Sequence, residues 1–297
     1  MTRIQANLVL LLTAAIWGGG FVAQSSAMQH MGPHWFNALR FAIALLAALP
    51  FAIREWKSHD APLSAADVRA FILIGLMLFG GQTFQQLGIL RTTVTNTSFL
   101  TGLYVVFVPL LTLLVWRRTP HWIVWPAAIM ALLGILLLQG GSLTALNTGD
   151  LLVIACAVCY AVQIALTTIA VQRSGRPMAL TAIQFAICTI GALGFALPLE
   201  TIDFASVSNA WLEVIYAGLF SSGLAFALQI IGQRYTTAPQ AAIFLSSESL
   251  FGAVFGALLL GESILAIGYA GCALIFLSML LVEIIPLLGA RRVAQVG

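Results

Sequence analysis

Pro239-Gln-Ala-Ala-Ile-Phe-Leu-Ser-Ser-Glu-Ser-Leu-Phe-Gly-Ala-Val-Phe-Gly-Ala-Leu-Leu-Leu-Gly261 is the stretch that decides the fold class. At about 1.5 Å per residue it is long enough to cross a bilayer core of about 30 Å as one helix. Near its middle stands Glu248, flanked by Ser247 and Ser249. A carboxylate at that depth costs about 2.5–3.5 kcal/mol on insertion scales, so it is expected to face protein or water and not lipid. No other acidic residue falls near the middle of a spanning segment, and the rest of the chain reads as walls around this one.

The composition agrees. The 297 residues are 61% hydrophobic and 8% charged, with a mean hydropathy of +1.02; a soluble domain carries roughly 25% charged residues. The fold class is an all-α membrane protein. A β-barrel would show short alternating segments, not long apolar runs. The longest polar stretch, Arg54 to Asp67, is too short to fold alone. The single lysine, Lys57, lies in it, and no GxxxxGK[ST] motif exists, so the chain is not read as an ATPase. Its basic balance, pI near 8.8, reads as positive loops beside a membrane and not as a nucleic-acid surface. Cys156, Cys159, Cys188 and Cys272 all fall in apolar segments; the C-x-x-C pair lacks a βαβ context or a second pair and reads as packing. The first apolar run continues into Gly18-Gly19-Gly20-Phe21 and reads as a span, not a signal peptide. No cofactor and no metal is assigned: His30 and His34 are four apart, but Gly32-Pro33 breaks any helix between them.

Ten spans are expected, at about 7–27, 34–53, 69–89, 95–115, 121–139, 150–171, 178–198, 210–231, 239–260 and 264–286. Short connections make neighbours antiparallel. With the N-terminus inside, the cytoplasmic segments hold eleven of the thirteen basic residues and the outer loops hold only Arg91, so both termini are expected in the cytoplasm, at the plasma (bacterial inner) membrane. The thirteenth, Arg40, lies within the second span and is expected to snorkel or pair structurally. Trp35, Trp56, Trp116, Trp122, Trp125 and Trp211 lie at span ends, where amphipathic rings favour the headgroup level; Trp17 alone is central.

The halves resemble each other. At an offset of 144, Phe41-Ala42-Ile43 matches Phe185-Ala186-Ile187; at 143, Gly75-Leu76 matches Gly218-Leu219, Gly80 matches Gly223, Gln86 matches Gln229, Arg91 matches Arg234 and Thr93 matches Thr236. The expected units are residues 1–142 and 143–297, five helices each. Five is odd, so the second unit enters the membrane upside down. Two inverted five-helix repeats around a central cavity are a transporter architecture.

Ala14-Ala-Ile-Trp-Gly-Gly-Gly-Phe21, Gln85-Gln-Leu-Gly-Ile-Leu-Arg-Thr-Thr93, Phe99-Leu-Thr-Gly-Leu-Tyr104 and Ser246-Ser-Glu-Ser249 followed by Gly261-Glu262 resemble the EamA family of the drug/metabolite transporter superfamily. Nearly the whole chain takes part, and it is most similar to the YddG-type amino-acid exporters. The resemblance implies export of amino acids. One departure is plain: the family has Leu-Glu-Pro in the ninth helix where this chain has Ser247-Glu248-Ser249, so a straighter helix is expected there.

Mid-depth position selects Trp17, Tyr104, Tyr160 and Glu248, with the repeat pairing Trp17 with Tyr160 and Tyr104 with Ser247. Gln82, Gln86, Thr101, Gln163, Phe244 and Ser247 share faces with them and complete the set of cavity residues. Packing between helices is the competing reading for the aromatics, and interhelical hydrogen bonding, worth about 0.6 kcal/mol each, for the amides. Glu248 has three open roles: binding a substrate amine, carrying a coupling proton, or hydrogen-bonding structurally to Ser and Gln. Gly75, Gly80, Gly218, Gly223 and the Gly252-x-x-x-Gly256 pair read as close packing.

The expectation is therefore a secondary transporter in the lipid bilayer, exporting small metabolites by alternating access. Amino acids come first, with aromatic or large apolar side chains preferred. No cation is assigned to the cavity to take a carboxylate. Sugar, nucleoside or cation transport uses the same architecture. A lipid-linked-sugar flippase or membrane enzyme would need a basic or metal-bearing interfacial cluster, which the sequence lacks.

Overall fold

The computed structural model describes residues 1–59, 61–92, 94–138, 140–141, 147–260 and 265–296, and every regular element among them is helical. In chain order these are α1 (Arg3–Ala27), α2 (Pro33–Lys57), α3 (Ala65–Ile89), α4 (Val94–Thr101), α5 (Tyr104–Leu114), α6 (Val124–Leu138), α7 (Thr148–Ser174), α8 (Pro177–Leu199), α9 (Phe204–Asn209) and α10 (Trp211–Ile215). A π-helical segment (Tyr216–Leu224), α11 (Ala225–Gln233), α12 (Ala238–Leu245), α13 (Glu248–Leu260) and α14 (Ala266–Val296) follow. Eight stretches are long and apolar enough to cross a membrane: α1, α2, α3, Thr97–Leu114, α7, α8, Trp211–Gln233 and Ala266–Pro286. Thr93, Gly261 and Glu262, and the junction expected between residues 142 and 143, lie outside the described residues.

The surface is inverted relative to a water-soluble domain. Leu46, Ile190 and Leu197 point outward at 69, 71 and 70% exposure, whereas Gln86, Gln163, Gln184 and Gln233 are buried. Apolar side chains outside and amides inside is what lipid as solvent selects, because an amide in hydrocarbon has no partner.

Helix starts are written locally. Thr2 and Gln5 form a capping box on α1, and Asn147 and Asp150 form one on α7. Pro33 and Pro177 open α2 and α8, where a missing N–H costs nothing. α7 stops on Gly175, left-handed at φ 68°, which turns the chain directly into α8.

Three spans expected as single helices are interrupted. The fourth breaks at Gly102–Leu103 between α4 and α5, and the ninth at Ser246–Ser247 between α12 and α13. Both breaks tighten to three-residue hydrogen bonds, Leu103 N to Leu100 O at 3.2 Å and Ser247 N to Phe244 O at 3.3 Å. The absent proline predicts a straighter ninth helix, but the helix is interrupted there all the same. The Ser246 hydroxyl donates to Ile243 O at 2.8 Å and that of Ser247 to Phe244 O at 2.6 Å, competing for carbonyls the helix would use. Pro109 lies inside α5 and not at its break. The eighth span carries the nine-residue π segment, which offsets the backbone ladder by one residue.

Packing contacts recur in matched sets. Glu55, in the last turn of α2, accepts from the first N–H groups of α8 (Met178 at 3.1 Å, Ala179 at 2.8 Å). Glu200, capping the end of α8, accepts from the first N–H groups of α2 (His34 at 3.1 Å, Trp35 at 3.0 Å). A carboxylate on a helix N-terminus is favoured by unpaired N–H groups and by the helix dipole. Here the pair ties two antiparallel helices at both ends. Gly75 of α3 lies against Gln184 and Ile187 of α8, and Gly218 lies against Arg40 and Ile43 of α2. Gly88 of α3 lies against Gly149 and Val153 of α7, and Gly232 of α11 against Ala6 and Leu10 of α1. In each set the second member is the first shifted by 143 to 145 residues. α6 and α14 cross where Gly134 and Gly271 meet backbone to backbone.

Candidate functional site

The two helix breaks meet. Tyr104 is the first residue of α5 and Glu248 the first of α13, and the Tyr104 hydroxyl donates to Glu248 Oε1 at 3.2 Å. Both side chains are buried, at 2 and 6% exposure. Glu248 opens α13 and so stands at the positive end of that helix's dipole.

These residues line a cavity of about 40 Å³, room for about three water molecules. Trp17, Phe21 and Gln24 of α1 form one wall. Arg40 of α2 and Gln82 and Gln85 of α3 form a second, and Tyr160, Gln163 and Ile164 of α7 a third. Ser221, Phe226 and Gln229, from the π segment and α11, complete it. Residues from both halves of the chain therefore face one space. A larger void, about 320 Å³, lies at the end of the bundle that carries the N-terminus, between Arg3, Trp116, Thr168, Gln172 and Gln240.

One side of the cavity is aromatic. The Trp17 ring stacks obliquely on Phe226 at 4.8 Å, and Phe226 joins Phe41 and Phe185, which lie 5.8 Å apart. The Trp17 indole N–H donates to Ser221 O at 2.8 Å. That acceptor lies inside the π segment, whose altered ladder leaves carbonyls to side-chain donors. Gly81 makes room for Tyr160: a Cβ there would lie 2.5 Å from the Tyr160 ring.

Much of the remaining lining is amide. The Tyr160 hydroxyl donates to Gln85 Oε1 at 3.3 Å, and Gln85 Nε2 donates to the Thr101 hydroxyl at 3.1 Å. Gln229 Nε2 donates to Gln163 Oε1 at 3.2 Å. Arg40 donates to Gln82 Oε1. Among lining residues, Gln24 Oε1, Gln229 Oε1 and Arg40 Nε are buried without a protein partner. Such groups are costly unless something completes them.

Of the ten residues selected from the sequence, Trp17, Gln82, Tyr104, Tyr160, Gln163 and Glu248 line the cavity. Thr101 stands behind it, bonded to Gln85, and Gln86 is fully buried away from the lining. Phe244 belongs to the apolar core, and Ser247 spends its hydroxyl on the helix break. Phe244 lies in α12 before the break and Ser247 within it, whereas Glu248 opens α13 after it.

Of the two expectations for Arg40, structural pairing holds, since it donates to Gln82. It does not snorkel: it is 1% exposed, with its guanidinium over the faces of Phe36 (5.1 Å) and Phe41 (4.9 Å). It also supplies the cavity with the cation that the sequence reading left unassigned. Phe21, Gln24, Gln85, Ser221, Phe226 and Gln229 were missed as well. For Gln229 a signal existed, its match to Gln86 in the repeat; for Arg40 it was a full charge well inside an apolar run with no acid nearby in the chain.

The model of the EamA-like transporter family matches the chain twice, over residues 4–139 and 147–284. A protein of Archaeoglobus fulgidus described as an uncharacterized transporter is 32% identical over 282 residues, covering 95% of this chain and 87% of that one. A second from the same organism, with the same description, is 26% identical over 270 residues, covering 87% of this chain and 90% of its own. A solved structure titled only as the crystal structure of a protein superposes with a TM-score of 0.79 at 18% identity, covering 98% of this chain and 99% of that one, and so shares the fold.

Proposed function

This chain belongs to the EamA-like transporter family, an integral membrane transporter of small molecules, and on that premise we propose that it exports amino acids by alternating access. The reading has ten crossings, α4 with α5 and α12 with α13 each counting as one broken helix and α6 as a short one. Residues 1–142 and 143–297 are then two inverted repeats, with both termini in the cytoplasm of a cell whose inner membrane holds the protein.

The matched contacts support the inversion. If the repeats are related by a two-fold axis in the membrane plane, Glu55 on α8 and Glu200 on α2 are one contact seen twice. So are Gly75 on α8 and Gly218 on α2. Phe41 and Phe185, equivalent in the repeat, touch each other as residues near such an axis do. α2 and α8, fastened at both ends, would form the part about which the other helices rock.

The observation that carries the function is the meeting of two helix breaks at Tyr104 and Glu248, at corresponding positions of the two halves. Broken helices in that arrangement mark transporter binding sites, because freed backbone and half-helix ends point at the substrate. Glu248 would receive a substrate amine, and Trp17, Phe226 and Tyr160 would face an aromatic or large apolar side chain. At about 40 Å³ the cavity is too small for such a molecule, while the void near the N-terminus is about 320 Å³. Separation of the α4/α5 and α12/α13 breaks would enlarge the first and join it to one side. A nucleoside or sugar is the second reading, favoured by the neutral amides Gln82, Gln85, Gln163 and Gln229.

Purified protein in liposomes, loaded with unlabelled amino acids, nucleosides or sugars and challenged with the labelled forms, tests this. Amino acids, aromatic ones fastest, are expected to exchange. Exchange confined to nucleosides or sugars selects the second reading, and a pH gradient added across the same vesicles reports proton coupling.

A further inference from the structure

We propose that Arg40 is the residue that binds the substrate carboxylate, so that the cavity holds a zwitterion with its carboxylate on Arg40 and its amine on Glu248. The assignment rests on the amino-acid reading and deepens it.

The observation is an incomplete cation. A guanidinium has five N–H donors in a planar fork. Arg40 satisfies one neutral acceptor, Gln82 Oε1, and its Nε has none. The described residues hold two ion pairs, Arg3–Glu283 and Arg173–Asp67, and Arg40 is in neither. Burying a full charge without a counterion is unfavourable, and two phenylalanine faces offset only part of that cost. The rings also hold the fork from the side, which suits a planar anion taken by two parallel hydrogen bonds.

The cavity decides which anion. Glu248 lines the same space as Arg40, and the two are not within ion-pair distance of each other. A phosphate or dicarboxylate would bring added negative charge toward Glu248. A monocarboxylate that carries its own ammonium answers both groups, and the Trp17–Phe226 wall is left for its side chain. An α-amino acid has that composition.

The test varies the ligand before the protein. In counterflow of labelled phenylalanine into liposomes, unlabelled phenylalanine, phenylalaninamide, phenethylamine and 3-phenylpropionate compete (or the same derivatives of whichever amino acid exchanges fastest). With wild type, removing or neutralising the carboxylate is expected to weaken competition about 10- to 100-fold, the range for charge-assisted hydrogen bonds. In Arg40→Gln, phenylalanine falls to the level of its amide while the amide and the amine hardly change; Arg40→Lys lies between.

Gln82→Glu guards against a variant that does not fold. It keeps Arg40 and gives it a resident carboxylate, so phenylalanine is expected to weaken about tenfold or more while phenethylamine does not, with melting in detergent undiminished. A wild type that transports phenylalanine but accepts the amide equally well overturns this inference alone. So does a folded Arg40→Gln that loses acid and amide alike, or a Gln82→Glu that leaves their ratio unchanged. A wild type that exchanges no amino acid overturns both this inference and the reading beneath it.

Discussion

The α4/α5 break and the α12/α13 break stand at the same register in the two halves, yet the residues at them differ in chemistry. At the first, Gly102 lets the turn tighten beside α6: a Cβ there would lie 2.8 Å from Ile135 Cδ1 and 3.1 Å from Phe99 O. At the second, two serine hydroxyls take carbonyls from the ladder. The first break presents a neutral donor, Tyr104, and the second a carboxyl, Glu248. One backbone device thus serves two side chains that complement each other. The breaks teach that an interruption at one register can be built on different residue types, and that neither has a proline at it.

The comparison can be broken most directly at Glu248. Glu248→Gln keeps the shape and removes the charge, and amino-acid exchange is expected to fall about 10- to 100-fold with melting unchanged. If Glu248 also carries the coupling proton, the residual flux no longer varies with pH; a pH profile identical to wild type ends that role. Tyr104→Phe removes only the donor, so a smaller loss, about fivefold, is expected in the same assay. A Tyr104→Phe loss equal to that of Glu248→Gln would mean that the pair acts as one unit and that the two breaks are not divided in role.

The serines sharpen the contrast in mechanism. Ser246→Ala with Ser247→Ala removes both competing hydroxyls and raises helix propensity across the break. Exchange is expected to slow about threefold while the melting midpoint holds or rises, because the freed carbonyls return to the helix ladder. Lost stability instead would show that the hydroxyls hold the break in place. The smallest effect is expected at the other break. Gly102→Ala must displace the end of Ile135, costing about 1 kcal/mol of stability with little change in exchange.

Much of this was legible in the chain. Long apolar runs with few charges leave no alternative to membrane helices, and side chains at mid-depth are found by counting from helix ends, so Trp17, Tyr104, Tyr160 and Glu248 stood out. Which way a side chain points within a span was harder. Gln82 and Gln85 face the cavity and Gln86 does not, a distinction of about 100° per residue on a helix with almost uniform hydrophobicity. The place of Arg40 on the cavity was not legible, because depth along a helix says nothing of azimuth. The same arginine can reach a headgroup from one face of α2 and a cavity from the other.

By itself the sequence determined the solvent of this protein and the duplication of its chain, since both depend on composition and on residue order at a fixed offset. The tertiary structure alone decided how the spans are interrupted and what they enclose. A serine hydroxyl takes a carbonyl three residues back both at the α12/α13 break and inside the unbroken α14, and Ser221 O meets its donor Trp17 from a different helix. A cavity exists where helices fail to meet, and that failure is a property of several segments at once, which no single stretch of chain encodes.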